Sequence, residues 1–110
     1  MINRHFLTTH IAGFAYYDGI DVIEKLNIGT ELSLQAEPTN LHDADAVAIY
    51  LDDTMLGYIP SEENERISQF LQLGYDDLFE VKINRISLEV HPEKQFGIVV
   101  RIRGKAKCIK

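Results

Sequence analysis

Polar and apolar positions alternate with a period of two along much of this chain, the pattern of half-buried β-strands. Residues 5–14 are rich in β-formers and are interrupted near their end by Gly13. Tyr16-Tyr17-Asp18-Gly19 reads as a turn. Ile20, Val22, Ile23 and Leu26 then fall at roughly helical spacing, with Gly29 just beyond, which predicts a short helix. Residues 30–36 predict a strand with Leu32 and Leu34 on one face. The polar stretch 37–45 carries Pro38, Asn40 and Asp43, residues of turns. In residues 46–51, Val47, Ile49 and Leu51 alternate, and Asp52-Asp53 turns the chain into residues 55–59, a hairpin.

The clearest helix starts at Pro60 and Ser61. Ser61 is the predicted N-cap, Glu62 and Glu63 suit the positive end of the helix, and Gly74 closes it. Its apolar stripe is Ile67, Phe70, Leu71 and Leu73. Residues 78–90 then predict a long strand with a fault. Phe79, Val81 and Ile83 alternate on odd positions, and Ile86, Leu88 and Val90 on even ones. A period of two changes phase only by inserting a residue, so a bulge or sharp bend is expected near Asn84-Arg85. His91-Pro92-Glu93-Lys94 is the return turn. Phe96, Ile98, Val100 and Ile102 alternate with Gly97, Val99, Arg101 and Arg103, giving the last strand a cationic rim. About six strands, mostly joined by short turns, and two helices predict a mainly β (α+β) fold, a small partly open antiparallel β-barrel of OB/SH3-like kind.

The length of 110 residues suits one domain spanning 1–110. No apolar run approaches the roughly 20 residues of a membrane helix, and the N-terminus lacks the basic-then-apolar layout of a signal peptide. The lone cysteine, Cys108, excludes an internal disulfide, a multi-cysteine zinc cage and a redox pair. These features are read as a soluble cytoplasmic protein. The net charge of −6 argues against a nucleic-acid partner, but its distribution changes that. Residues 1–81 hold three basic and fifteen acidic side chains, and residues 82–110 eight basic and two acidic. An asymmetric chain of this kind can present a basic face despite an acidic total.

Catalytic chemistry has little support. The histidines His5, His10, His42 and His91 form no metal-binding pair at helical spacing. His42, Asp43 and Asp45 gather an imidazole and two carboxylates, yet a calcium site wants about six oxygen ligands. Such clusters more often bind local backbone N–H groups. No serine occupies a nucleophile elbow, and no glycine loop cradles a phosphate. The chain is read as no enzyme, with no cofactor and no metal. Tyr16 and Tyr17 are adjacent and point in different directions, so one ring can enter the core while the other offers a stacking platform.

Three segments carry a resemblance. Gly13-Phe14-Ala15-Tyr16-Tyr17-Asp18-Gly19 resembles the first signature of the HIRAN family. Glu37-Pro38-Thr39-Asn40-Leu41-His42-Asp43-Ala44-Asp45-Ala46-Val47-Ala48-Ile49 resembles the second, and Leu56-Gly57-Tyr58-Ile59-Pro60 with the acidic helix start resembles the third. They occur in the family's order, and the resemblance covers about residues 6–103.

The resemblance implies a small barrel with two helices that binds DNA, in a family found fused to Swi/Snf-type translocases and as stand-alone bacterial proteins. It implies recognition of the 3′-hydroxyl end of single-stranded DNA, with tyrosine rings sandwiching the terminal base and an aspartate accepting a hydrogen bond from the hydroxyl. By position, Tyr16 is then the stacking ring with Tyr17 its neighbour, Asp43 reads the hydroxyl, and Asn40 holds the sugar or backbone. Ala15 stands where the DNA-gripping member has an arginine, and His42 where it has a second tyrosine. Asp45 replaces a common asparagine. These departures imply weaker binding, seen mainly at low salt. The expected nucleic-acid-binding set is Tyr16, Tyr17, Asn40, His42 and Asp43, with phosphate contacts among Lys82, Arg85, Arg101 and Arg103. The expected role is in DNA repair or processing, with a helicase or translocase as a possible companion. The alternative is a protein-interaction module on the same barrel without DNA binding.

Overall fold

A computed structural model describes residues 2–89 and 95–105. Six strands form one sheet: β1 (Arg4–His10), β2 (Glu31–Ala36), β3 (Val47–Leu51), β4 (Thr54–Tyr58), β5 (Phe79–Ile86) and β6 (Phe96–Ile102). Their order is β1-β6-β5-β2-β3-β4, and every pairing is antiparallel. The sheet curls until its two edges nearly meet. Just past β1, the N–H of Ala12 donates to the carbonyl of Tyr58 at 2.8 Å, and the N–H of Tyr58 donates back to that of Ala12 at 2.9 Å. Among the described residues one bridged pair links the edges, so the architecture is a partly open barrel, as the sequence pattern predicts.

The seam depends on Gly57. A Cβ there would lie 2.4 Å from the Ala12 carbonyl oxygen. Only a residue without a side chain lets the two strands approach this closely. Inside the barrel, Val47, Ile49, Leu56, Ile59, Ile67, Val81, Ile83, Ile98 and Val100 are almost wholly buried. Each such aliphatic side chain contributes about 1.5–3 kcal/mol relative to exposure.

The phase change in β5 is a bulge. Ile83 pairs with Ile98 and Arg85 with Gly97, leaving Asn84 as the extra residue. Beyond it Ile86 is half-buried and packs against the core opposite Phe96, whereas Leu88 is exposed, so the even-numbered phase reaches the core only at Ile86. Val90, the return turn His91-Pro92-Glu93-Lys94 and Cys108 lie outside the described residues.

Several predicted boundaries move. β1 ends at His10, because the chain leaves the β6 pairing for the seam and then enters a 3₁₀ turn at Phe14–Tyr16. The helix expected from Ile20 is a 3₁₀ segment, Asp18–Lys25, kinked at Val22. A glycine and β-branched residues weaken α-helix there. The second helix opens with a 3₁₀ turn at Ser61–Glu63, and α1 proper is Glu65–Gln72. Its cap position falls on Asn64, and Ser61 makes no capping bond. Gly74 ends α1 with a positive φ of 96°. Its N–H reaches the Leu71 carbonyl and that of Tyr75 reaches Phe70, with the Phe70 and Tyr75 rings 6.2 Å apart. This pair of bonds with an apolar clasp is the Schellman ending. Leu73 is left exposed beyond the stripe. Among the described residues, no helix is long and apolar enough to cross a membrane.

Candidate nucleic-acid interface

The first sequence motif is a loop built to display tyrosines. Phe14 is buried against Phe96, ring centroids 4.6 Å apart. Gly19 lies beneath it, where a Cβ would stand 2.2 Å from the Phe14 ring. With Phe14 plugged into the core and Gly19 making room, Ala15, Tyr16 and Tyr17 are held outside. The Tyr17 ring then lies over Gly13, where a Cβ would stand 3.3 Å away, and meets the Tyr58 ring edge-on at 5.6 Å. Tyr16 points into solvent, 81% exposed.

The second motif is a loop that ties itself. The Glu37 N–H donates to the Ala46 carbonyl, closing the loop at its base. Asn40 Oδ1 accepts the N–H groups of His42 and Asp43 at 2.8 and 3.1 Å, and its Nδ2 donates to Glu37 Oε1 at 3.0 Å. Asp43 Oδ1 accepts the Asp45 N–H at 2.9 Å, and its Oδ2 accepts from Nδ2 of the buried Asn64 at 2.9 Å. The helix start therefore fixes the far side of the loop. Tyr58 donates its hydroxyl to Glu37 Oε1 at 2.8 Å. Burial, reinforced by the neighbouring Glu37 carboxylate, pushes the Tyr58 phenol well above its ordinary range. It remains a protonated donor throughout ordinary pH.

Together these parts enclose an open cleft of ≈ 380 Å³ on the outer face of the seam. Tyr17 and Tyr58 form its aromatic side, Asn40, His42 and Asp43 the loop side, and Ala12, Ser61 and Asn64 complete it. Tyr17, Asn40, His42 and Asp43 of the expected set thus line one cleft, whereas Tyr16 does not line it. Tyr58, Glu37 and Asn64 were not singled out as site residues from sequence. Glu37 and Tyr58 sit inside the second and third motifs, which was the available signal. For Asn64 there was none, because its role depends on where the helix lands. Among the described residues, no group of three or more metal-ligating side chains comes together. The carboxylate of Asp43 accepts from the backbone N–H of Asp45 and the side-chain amide of Asn64.

The four cations fare differently. Lys82 and Arg101 both approach Glu80, at 3.7 Å each. Arg103 donates to Glu31 at 3.1 Å and to the Phe79 carbonyl, beside a separate groove that also holds Asp52 and Asp76. Arg85 is exposed at the bulge. Much of the positive charge of the last strands is therefore met by acidic side chains.

The model of the HIRAN domain family matches residues 5–101 of this chain. The chain belongs to the HIRAN family. Its barrel is similar to that in the crystal structure of a protein from Lactobacillus plantarum, with a TM-score of 0.76 at 19% identity over 92% of this chain and 95% of the other. It is also similar to the HIRAN domain of human HLTF, with a TM-score of 0.66 at 17% identity over 87% of this chain and 73% of the other. At such identities the likeness concerns the fold. A search of curated proteins found no significant relative. HIRAN is a binding domain, and the family is known as a nucleic-acid-binding module. In this HIRAN domain, the three motifs are the parts that build the cleft.

Proposed function

We propose that this HIRAN domain binds single-stranded DNA by its 3′-hydroxyl end, in the cytoplasm, in DNA repair or processing alongside a translocase or another DNA-processing protein. The observation that carries the reading is the convergence of Tyr17, Tyr58, Asn40 and Asp43 on one cleft of limited size. The terminal base stacks on the tyrosine side, and the hydroxyl donates to Asp43. Each carboxylate oxygen of Asp43 accepts one bond from the protein and retains capacity for another. The group is held in place before a ligand arrives, which reduces the ordering cost of binding. An ionised carboxylate only accepts, so it favours a terminal hydroxyl and repels a terminal phosphate. His42 stands exposed at the mouth and offers a further ring to the strand.

The test is fluorescence anisotropy at low salt with labelled single strands ending in 3′-hydroxyl or 3′-phosphate. The expected result is preference for the hydroxyl end, and loss of that preference in Asp43→Ala. The ratio of the two affinities is the relevant quantity, because a loosened loop weakens both alike. Equal binding of both ends by the unaltered protein would remove end recognition. Absence of binding to either would remove the nucleic-acid reading and favour a protein partner.

A further inference from the structure

The cleft surface continues beyond Ala12. Side chains two residues apart on an extended chain share a face. Ile11 is buried, and His10 and Ala12 lie on the outer side of it. His10 stands opposite Gly97 of β6, and Gly97 opposite Arg85 of β5. One row thus crosses the outer face from β1 to Arg85, over two strand spacings of about 4.8 Å each.

Gly97 determines how Arg85 lies in that row. A Cβ on Gly97 would stand 3.1 Å from both Cβ and Nε of Arg85, and 3.0 Å from Oδ1 of Asn84. The arginine side chain is therefore folded flat over bare backbone. Its position there follows from the bulge, since Asn84 is the extra residue that brings Arg85 opposite Gly97. The other cations of β5 and β6 face carboxylates, Lys82 and Arg101 sharing Glu80 and Arg103 meeting Glu31. Among the described residues, no carboxylate lies within ion-pair distance of Arg85. An anionic strand passing from the cleft across β1 and β6 meets the Arg85 guanidinium, which no carboxylate of the described residues pairs and which is already laid against the sheet.

We infer that Arg85, seated on Gly97, is the phosphate contact that sets the path of the strand as it leaves the cleft, and that Lys82, Arg101 and Arg103 are not. The inference rests on the cleft being a site for a single-stranded end. It places that contact on β5, two strands from β1 in the sheet.

The test measures the salt dependence of binding of a 3′-hydroxyl single strand to the full chain. Each phosphate neutralised on a single strand contributes about 0.7 to the slope of log K against log salt. Arg85→Ala is expected to lower the slope by about 0.7, equivalent to about 2.5-fold less affinity lost between about 50 and 200 mM salt. Arg4→Ala removes the same charge at the far end of β1 and is expected to leave the slope unchanged. A strand with a single uncharged methylphosphonate linkage, walked back from the 3′ end, should lose its sensitivity to Arg85→Ala at one linkage only. An unchanged slope in Arg85→Ala, or an equal change in Arg4→Ala, would overturn this inference and leave the cleft reading standing. Failure of the unaltered protein to bind would overturn both.

Discussion

Two adjacent tyrosines have opposite surroundings. Tyr17 rests on Gly13 and meets the edge of Tyr58 at 5.6 Å, so its ring is held against the cleft by neighbours on two sides. Tyr16 projects into solvent at 81% exposure. A pre-held ring gives a base a stacking partner without further loss of side-chain freedom. Tyr17→Ala is therefore expected to weaken single-strand binding by about 1–3 kcal/mol, the worth of one base–aromatic stack. Tyr16→Ala should cost less. The reverse order, read by the same anisotropy titration, would return the stacking role to Tyr16, the position that the family resemblance favours.

At the scale of elements, the site exists because two edges and two loops are brought into register. Asn40 and Asp43 tie the loop before β3, Asn64 joins that loop to the start of α1, and the Ala12–Tyr58 pair joins β1 to β4. Gly57 is the weak point of this assembly, with no room for even a methyl group against the Ala12 carbonyl. Gly57→Ala is expected to destabilise the fold by about 1–3 kcal/mol through forced backbone shifts, seen as a lower midpoint of thermal unfolding. An unchanged midpoint would show that the seam opens without consequence for the rest of the barrel. The same scale explains what sequence periodicity could not locate. The helix start slid from Ser61 to Asn64 because a 3₁₀ turn precedes α1. The helix after Gly19 tightened to 3₁₀ turns, with Gly19 pressed under Phe14.

For the molecule as a whole, charge is the governing quantity. A net charge of −6 opposes an anionic strand at long range. The cationic residues of the last strands offset this less than their number suggests, because Glu80 and Glu31 meet three of them. Binding is therefore expected to be visible at about 50 mM salt and to fade toward about 200 mM, with a shallow slope that reflects few phosphate contacts. A steep slope would point to a broader basic track than the described residues present. Affinity that does not change with salt would point to recognition without phosphate contacts.

The alternating pattern of the strands, the phase change at Asn84 and the three motifs were all legible in the chain, and they determined the barrel, the bulge and the family. Those features depend on near neighbours in sequence: the period of a strand, the room left by a glycine, an asparagine bonding backbone two residues on. What lay beyond them depended on contacts between distant segments. Only the folded chain decided that Tyr17 rather than Tyr16 lines the cleft, that Tyr58 faces Glu37, and that Asn64 reaches Asp43. The charges show the same division. Their clustering toward the end of the chain was a property of sequence, whereas strand pairing decided that Arg101 stands opposite Glu80 and Arg85 opposite Gly97. Whether a charge remains available to a ligand is set by what lies across the sheet, and no local pattern encodes that.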